Sequence, residues 1–327
     1  MRKYFILAGL FSAIPAVAEI FELPPESYDV IGAVSTISAR QEDTLVDIAR
    51  RHGLGYEDIV RANPDVNIWL PGKGIEIVLP TRYVLPAGPR EGVVLNLAEF
   101  RLFYYPEPKD GEAAYVMTYP ISIGRMDWET PLGLTTVISK VRNPTWYPPQ
   151  SVRNEHAADG NPLPRIVPPG PKNPLGKYAM QLGLPGYLIH GTNRPAGVGM
   201  RVTHGCVRMF PEDIGFLFGH IDVSTKVRIV NEPVKIGWHG DALVMEVHPV
   251  LKDEALLAES DVQPAEDSDI VARDPLTIVT EQFIMATGER AGALDWHLVE
   301  EILGRSDGIP VAVGQRIKNA AASAASE

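Results

Sequence analysis

The sequence predicts a mainly β protein, with a small α/β module ahead of the β domain and a helix-bearing extension behind it. Between about residues 90 and 232, short runs rich in Val, Ile, Thr and Tyr alternate with turn residues. Gly and Pro are both frequent, 29 of each, which suits a loop-rich β fold better than a helical bundle. Helical segments are few and short. The 327 residues, 45% of them apolar, suffice for two or three units with buried cores. A net charge of −11 argues against a nucleic-acid binder, which needs a basic face.

The elements follow in order. Arg2 and Lys3 precede an apolar run from Tyr4 to Val17, and Ala16-Val17-Ala18 supplies small residues at its end. This pattern predicts a secretory signal over 1–18, cut after Ala18; the competing reading is a membrane anchor. The run is short for a span, and no later segment is long and apolar enough for one, so the mature chain is expected to be exported without a transmembrane segment. Residues 35–80 form a unit of their own. A strand is expected over Ser35–Ala39. Thr44-Leu45 and Ile48-Ala49 mark one short helix, with Glu42, Asp43 and Asp47 at its positive end. Tyr56 to Pro64 marks a second helix, and Ile75 to Pro80 alternates as a strand.

In the β domain, Val93–Leu97 and Arg101–Tyr105 read as strands joined by a turn at Ala98-Glu99-Phe100. Tyr115–Gly124 and Gly133–Val141 read as the next two. The stretch from Pro148 to Pro174 holds eight prolines and no hydrophobic period, so a long loop serving as a lid is expected. Strand-like sequence resumes at Tyr178–Leu182 and Tyr187–Ile189. Pro211–Phe218 reads as a helix and Lys226–Val230 as a last strand. Residues 233–327 form the extension. It has an acidic linker from Asp253 to Asp274, a short amphipathic helix on Leu294, Leu298 and Ile302, and a frayed end after Gly314.

The chemistry concentrates in Ile189-His190-Gly191-Thr192 and Val202-Thr203-His204-Gly205-Cys206-Val207-Arg208-Met209. Two histidines, the single cysteine and an arginine lie within 19 residues. Exported proteins usually pair their cysteines, so a lone one is either inert or reactive. Three readings compete: a buried structural cysteine, a metal site on His190, His204 and Cys206, and thiol acyl transfer. The metal reading lacks a fourth ligand nearby and matches no zinc spacing. In the third, an imidazole takes the thiol proton, the thiolate attacks an acyl carbon, and backbone N–H groups hold the oxyanion. Gly205 lets the chain turn tightly before Cys206. Arg208 would project on the same side as Cys206, within reach of a substrate carboxylate.

These residues carry a resemblance. Asp43-Thr44-Leu45, Ile48-Ala49, Asn63, Pro71-Gly72, Ile75, Ile77 and Pro80 resemble a LysM module, a glycan-binding fold of bacterial walls. Leu95-Asn96-Leu97-Ala98-Glu99, Glu129-Thr130-Pro131, Asn143-Pro144-Thr145-Trp146, Asn173-Pro174-Leu175-Gly176, His190-Gly191-Thr192, Gly205-Cys206-Val207-Arg208-Met209 and Asn231-Glu232-Pro233-Val234-Lys235 resemble the L,D-transpeptidases with a YkuD catalytic domain. The similarity is to their periplasmic, LysM-bearing enterobacterial-type members, and it spans nearly the whole mature chain.

The resemblance implies a β-sandwich catalytic domain over 90–232, no cofactor and no metal. It implies peptidoglycan tetrapeptide stems as donors and an amine acceptor, either a second stem or an outer-membrane protein. Glycan strands would be held by LysM. It gives Cys206 as nucleophile, His190 as proton acceptor and His204 as a supporting residue. Thr203 fills a Ser/Thr position, Arg208 positions substrate, and Gly205 and Gly191 belong to the substrate and oxyanion motifs. Two alternatives stay open: an L,D-carboxypeptidase using water, and a non-catalytic wall-binding protein.

Overall fold

A computed structural model describes residues 19–25, 28–109, 111–125, 128–251, 274–288 and 290–317. The secretory signal expected over 1–18 and nearly all of the acidic linker lie outside the described residues. Among the described residues no helix is long and apolar enough to cross a membrane.

The small module is a hairpin carrying two short helices. Strands β2 (Val30–Ser38) and β3 (Glu76–Val84) pair antiparallel from Val30↔Val84 to Ser38↔Glu76. Helix α1 (Leu45–Arg51) starts at Thr44, whose side chain accepts the Asp47 N–H at 3.1 Å. Helix α2 (Tyr56–Arg61) ends near Asn63, which bonds Ile59 O at 2.8 Å and both the N–H and C=O of Val78. That one buried amide ties helix to strand. Leu45, Ile48, Leu54, Ile59, Ile77 and Leu79 form the module's core. The first strand begins at Val30, not Ser35. Its early half leaves the module and, with Ile31 and Tyr83, covers Val94, Phe103, Tyr105 and Val116 of the β domain.

The β domain is built on one nine-stranded sheet in the order β1-β6-β5-β4-β13-β8-β9-β10-β12. Its strands are β1 (Glu19–Glu22), β4 (Gly92–Asn96), β5 (Arg101–Tyr105), β6 (Tyr115–Pro120), β8 (Gly133–Arg142), β9 (Tyr178–Leu182), β10 (Leu188–His190), β12 (Val207–Arg208) and β13 (Lys226–Val230). The predicted third strand is two: β6 ends at Pro120, and β7 (Ile123–Gly124) pairs instead with β11 (Arg201–Thr203). The two layers of the expected sandwich are the two halves of this sheet. Leu95, Leu102, Met117 and Tyr119 from one half share a core with Val137, Met180, Ile189 and Val207 from the other. Helix α4 (Pro211–His220) adds Ile214 and Leu217 to that core. Strands β4 and β5 are buried on both faces, which explains their unbroken apolar runs.

The proline-dense stretch is not loop throughout. It holds helix α3 (Gln150–Ala158), begun right after Pro148-Pro149. Its only buried residue is Val152, so no apolar period betrayed it in the sequence.

The extension carries the predicted helix, α6 (Trp296–Arg305), and a second, α5 (Pro275–Thr287). Both accompany a four-stranded antiparallel sheet in the order β14-β15-β17-β16. Its strands are β14 (Val234–His239), β15 (Ala242–Val247), β16 (Gly292–Leu294) and β17 (Val311–Arg316). Leu294 therefore ends a strand, and Gln315 and Arg316, expected to fray, pair with Ala293, Ala242 and Gly292.

A buried charge cluster joins these units. Lys235 Nζ lies 2.6 Å from Glu99 and 3.0 Å from Glu246, and donates to Val84 O at 2.7 Å. Glu246 also accepts the Val84 N–H at 2.6 Å and pairs with His248 at 2.7 Å. Hairpin, β domain and extension each supply a member. Nearby, buried Arg101 reaches Asp58 of α2 at 2.6 Å and stacks 4.2 Å over the Tyr83 ring.

Candidate active site

Strands β10 and β12 run parallel at one edge of the large sheet, with Ile189 opposite Val207 and His190 opposite Arg208. The structure thereby brings His190, Arg208 and Cys206, the residue before β12, to one place. Arg208 is fixed further by Ser122, whose N–H and C=O pair with its backbone at 2.8 and 3.0 Å.

The turn into Cys206 requires glycine. Gly205 has φ +94°, and a Cβ there would sit 2.8 Å from the Tyr187 ring. Thr130 Oγ1 donates to Gly205 O at 2.8 Å, and Thr203 Oγ1 donates to Cys206 O at 2.6 Å. Among the described residues the amides of Gly205 and Cys206 donate to no backbone carbonyl. Gly191 passes close under α4, where a Cβ would lie 3.2 Å from Ile214 Cγ2.

Cys206 is partly exposed, and its sulfur lies 3.6 Å from Gly186 O. Burial pushes the thiol above the ordinary 9.0, opposed by the Leu188 N–H and then by the charge of Arg208. His190 is buried at 4% exposure, and its Nδ1 lies 2.6 Å from Gly191 O. A carbonyl partner assigns the proton to Nδ1 and leaves the lone pair on Nε2. Burial, then the Arg208 charge, push this imidazole down to about 3, with the Gly191 bond acting the other way. Both shifts favour the uncharged forms at neutral pH, a thiol and a neutral imidazole. Burial and the neighbouring Arg194 lower Arg208, and the guanidinium Nε has no partner among the described residues. A donor is thus left over for an anionic group.

His204 sits differently. Its Nε2 lies 2.8 Å from Glu155 on α3, and Glu155 is bound in turn by Arg125 at 2.7 Å. The Trp128 ring packs edge-on at 5.3 Å. The sequence reading missed Glu155, Arg125, Trp128 and Thr130 as site neighbours. Thr130 lies in the quoted Glu129-Thr130-Pro131 motif; Glu155 had no signal, because α3 itself was invisible. Asn173, fully buried, donates to the carbonyls of Pro144, Val167 and Pro168 and accepts the Leu175 N–H, which pins the stretch beside the site.

His190, His204 and Cys206 do not form a ligand cluster. The three ligating side chains that do converge among the described residues are Glu99, Glu246 and His248, and Lys235 Nζ already bridges their two carboxylates.

The module presses on the segment between the two histidines. Tyr56 N–H donates to Val198 O at 2.9 Å, and a Cβ on Gly199 would meet Tyr56 N at 2.3 Å. Arg50 makes a two-pronged contact with Glu212 of α4 at 2.6 and 2.8 Å.

Comparison with known proteins adds the family. The L,D-transpeptidase catalytic domain (YkuD) matches residues 90–229, and the LysM domain matches 38–77. "Probable L,D-transpeptidase ErfK/SrfK" of Salmonella typhimurium is 37% identical over 312 residues, covering 94% of each chain. "Probable L,D-transpeptidase YcfS" of Escherichia coli is 35% identical over 313 residues, covering 94% of this chain and 92% of that one. "Probable L,D-transpeptidase YbiS" of Escherichia coli is 36% identical over 312 residues, covering 94% and 95%. With this likeness running end to end over a YkuD and a LysM domain, the chain belongs to the L,D-transpeptidase family.

Proposed function

We propose that the protein is a cysteine-dependent L,D-transpeptidase of peptidoglycan, with Cys206 as nucleophile and His190 as proton acceptor. The observation that supports the reading is the pairing of β10 with β12, which puts His190 opposite Arg208 and leads directly out of the turn that carries the lone, partly exposed Cys206. The thiol proton passes to His190 Nε2 as the sulfur attacks the carbonyl between the third stem residue, a diaminopimelate, and the terminal D-alanine. The amides of Gly205 and Cys206 hold the oxyanion, and Thr203 steadies their loop. The C–N bond breaks, D-alanine leaves with the proton, and a thioester remains. An amine then attacks, the C–S bond breaks, a new amide forms, and the proton lost by the amine ends on the released Cys206 sulfur. Arg208 meets a carboxylate of the donor stem, and Gly191 lets the chain leaving His190 pass close under α4.

In this reading the chain is exported to the periplasm by the 1–18 signal. Its parts are a LysM module at 35–80 that holds glycan strands, a catalytic domain at 90–232 and an extension at 233–327. The acceptor amine belongs to an outer-membrane protein or to a second stem.

Incubation with a carbapenem followed by mass measurement tests the chemistry. One covalent adduct is expected on the wild type and none on Cys206→Ala. A folded wild type without adduct would leave only a wall-binding role. Muropeptide analysis of a deletion strain separates the acceptors: anchored protein is lost in one case, diaminopimelate–diaminopimelate dimers in the other. Products ending at the third residue with no amine attached would indicate a carboxypeptidase.

A further inference from the structure

We propose that Glu155 is a positioning residue for the second half of the reaction, holding His204 as the base that takes the proton of the incoming amine. The inference rests on the thioester reading above. The two histidines differ in access: His190 is 4% exposed, whereas the His204 side chain is 28% exposed. A base for the thiol can be buried beneath it. A base for a second substrate has to meet a group arriving from outside.

His204 is separated from Cys206 only by Gly205, yet its partners come from α3 and from the residue after β7. Glu155 Oε2 is 2.8 Å from Nε2, and Arg125 holds Oε1 at 2.7 Å. Arg125 Nη2 also lies 3.4 Å from Nε2, but the carboxylate at 2.8 Å is the closer partner and can only accept, so Nε2 carries the proton and Nδ1 keeps the lone pair. Among the described residues no protein group bonds Nδ1. The Trp128 ring, edge-on at 5.3 Å, limits rotation of the imidazole. A carboxylate that fixes one nitrogen of a histidine and frees the other is the arrangement a general base requires.

The step balances without any further reactant. The amine nitrogen attacks the thioester carbon, a C–N bond forms and the C–S bond breaks. The amine proton goes to His204 Nδ1 and from there to the departing thiolate.

Rapid-quench mass spectrometry tests this, with a synthetic tetrapeptide stem ending in D-alanine as donor and glycinamide as acceptor. Thioester formation and its amine-dependent decay are timed separately. For Glu155→Gln, decay should slow by about tenfold or more while formation slows by less than about threefold, so thioester accumulates. Glu155→Asp should recover part of the decay rate, and melting temperatures should match. Equal slowing of both steps, or wild-type decay in Glu155→Gln, overturns the proposal. A wild type that decays with glycinamide but is indifferent to residue 155 sinks this inference alone. A wild type that never forms the Cys206 thioester removes the underlying reading as well.

Discussion

At the level of single residues, the resting protonation states decide how the site has to work. The Cys206 thiol is pushed above 9.0 and the His190 imidazole down to about 3, so no thiolate–imidazolium pair stands ready at neutral pH. Alkylation of Cys206 by iodoacetamide should be slow at pH 7 and climb steadily into the alkaline range, because the reactive thiolate grows with pH. Arg208→Ala removes a charge that favours the thiolate, so the climb should move to still higher pH. Fast alkylation with a flat profile from about pH 5 upward would contradict both expectations. Cys206→Ser should reduce D-alanine release to background, since a hydroxyl ionises far less readily, and His190→Ala should cost a similar order.

These residues stood out in the sequence because they are close together in it: the lone cysteine, the glycine whose φ is +94°, and two histidines each followed by glycine. The Glu155 contact was not, since it spans 49 residues and starts from a helix without an apolar face.

At the level of elements, the segment from Pro148 to Pro174 shows how a stretch without a core is held. Helix α3 buries only Val152, and the rest depends on polar ties: the Trp146↔Val167 bridge, Asn173 and the Arg125–Glu155–His204 contacts. Asn173→Ala leaves buried carbonyls without donors and should destabilise the protein by about 1–3 kcal/mol in chemical denaturation. It should also raise KM for the donor stem more than it lowers kcat. Most other elements were readable from alternation and turn residues. The misses share a cause. The early half of β2, still paired with β3, packs on the β domain, and β7 leaves the line of β6 to join β11, so tertiary partners set their limits. The hairpin β14–β15 did carry a signal, two apolar runs around His239-Gly240-Asp241.

At the level of the whole molecule, a buried charge cluster joins the three units alongside apolar contacts such as Val30 and Val84 on Val244. Lys235 sits 1% exposed between Glu99 and Glu246, and Lys235→Met would strand two carboxylates; a loss of about 3–5 kcal/mol is expected from equilibrium unfolding. Adding Glu246→Gln should recover part of it. A second group sets a pH slope. Burial, with Glu212 beside it, pushes Asp213 up to about 8. The folded state then keeps a proton that the unfolded chain releases near 3.8, so this contribution is complete below that value and lost as pH rises through about 8. Asp213→Asn should flatten the fall in melting temperature between about pH 5 and pH 9. An unchanged slope would assign the dependence to another group.

The backbone of Gly199 lies against that of Gly55 and Tyr56, and the Tyr56 N–H donates to Val198 O at 2.9 Å, so main chain ties the module to the loop that leads to the sulfur. A module tied there acts as a ruler rather than a leash: were it to grip a sugar strand, the side peptides would be offered at a set offset from the thiol.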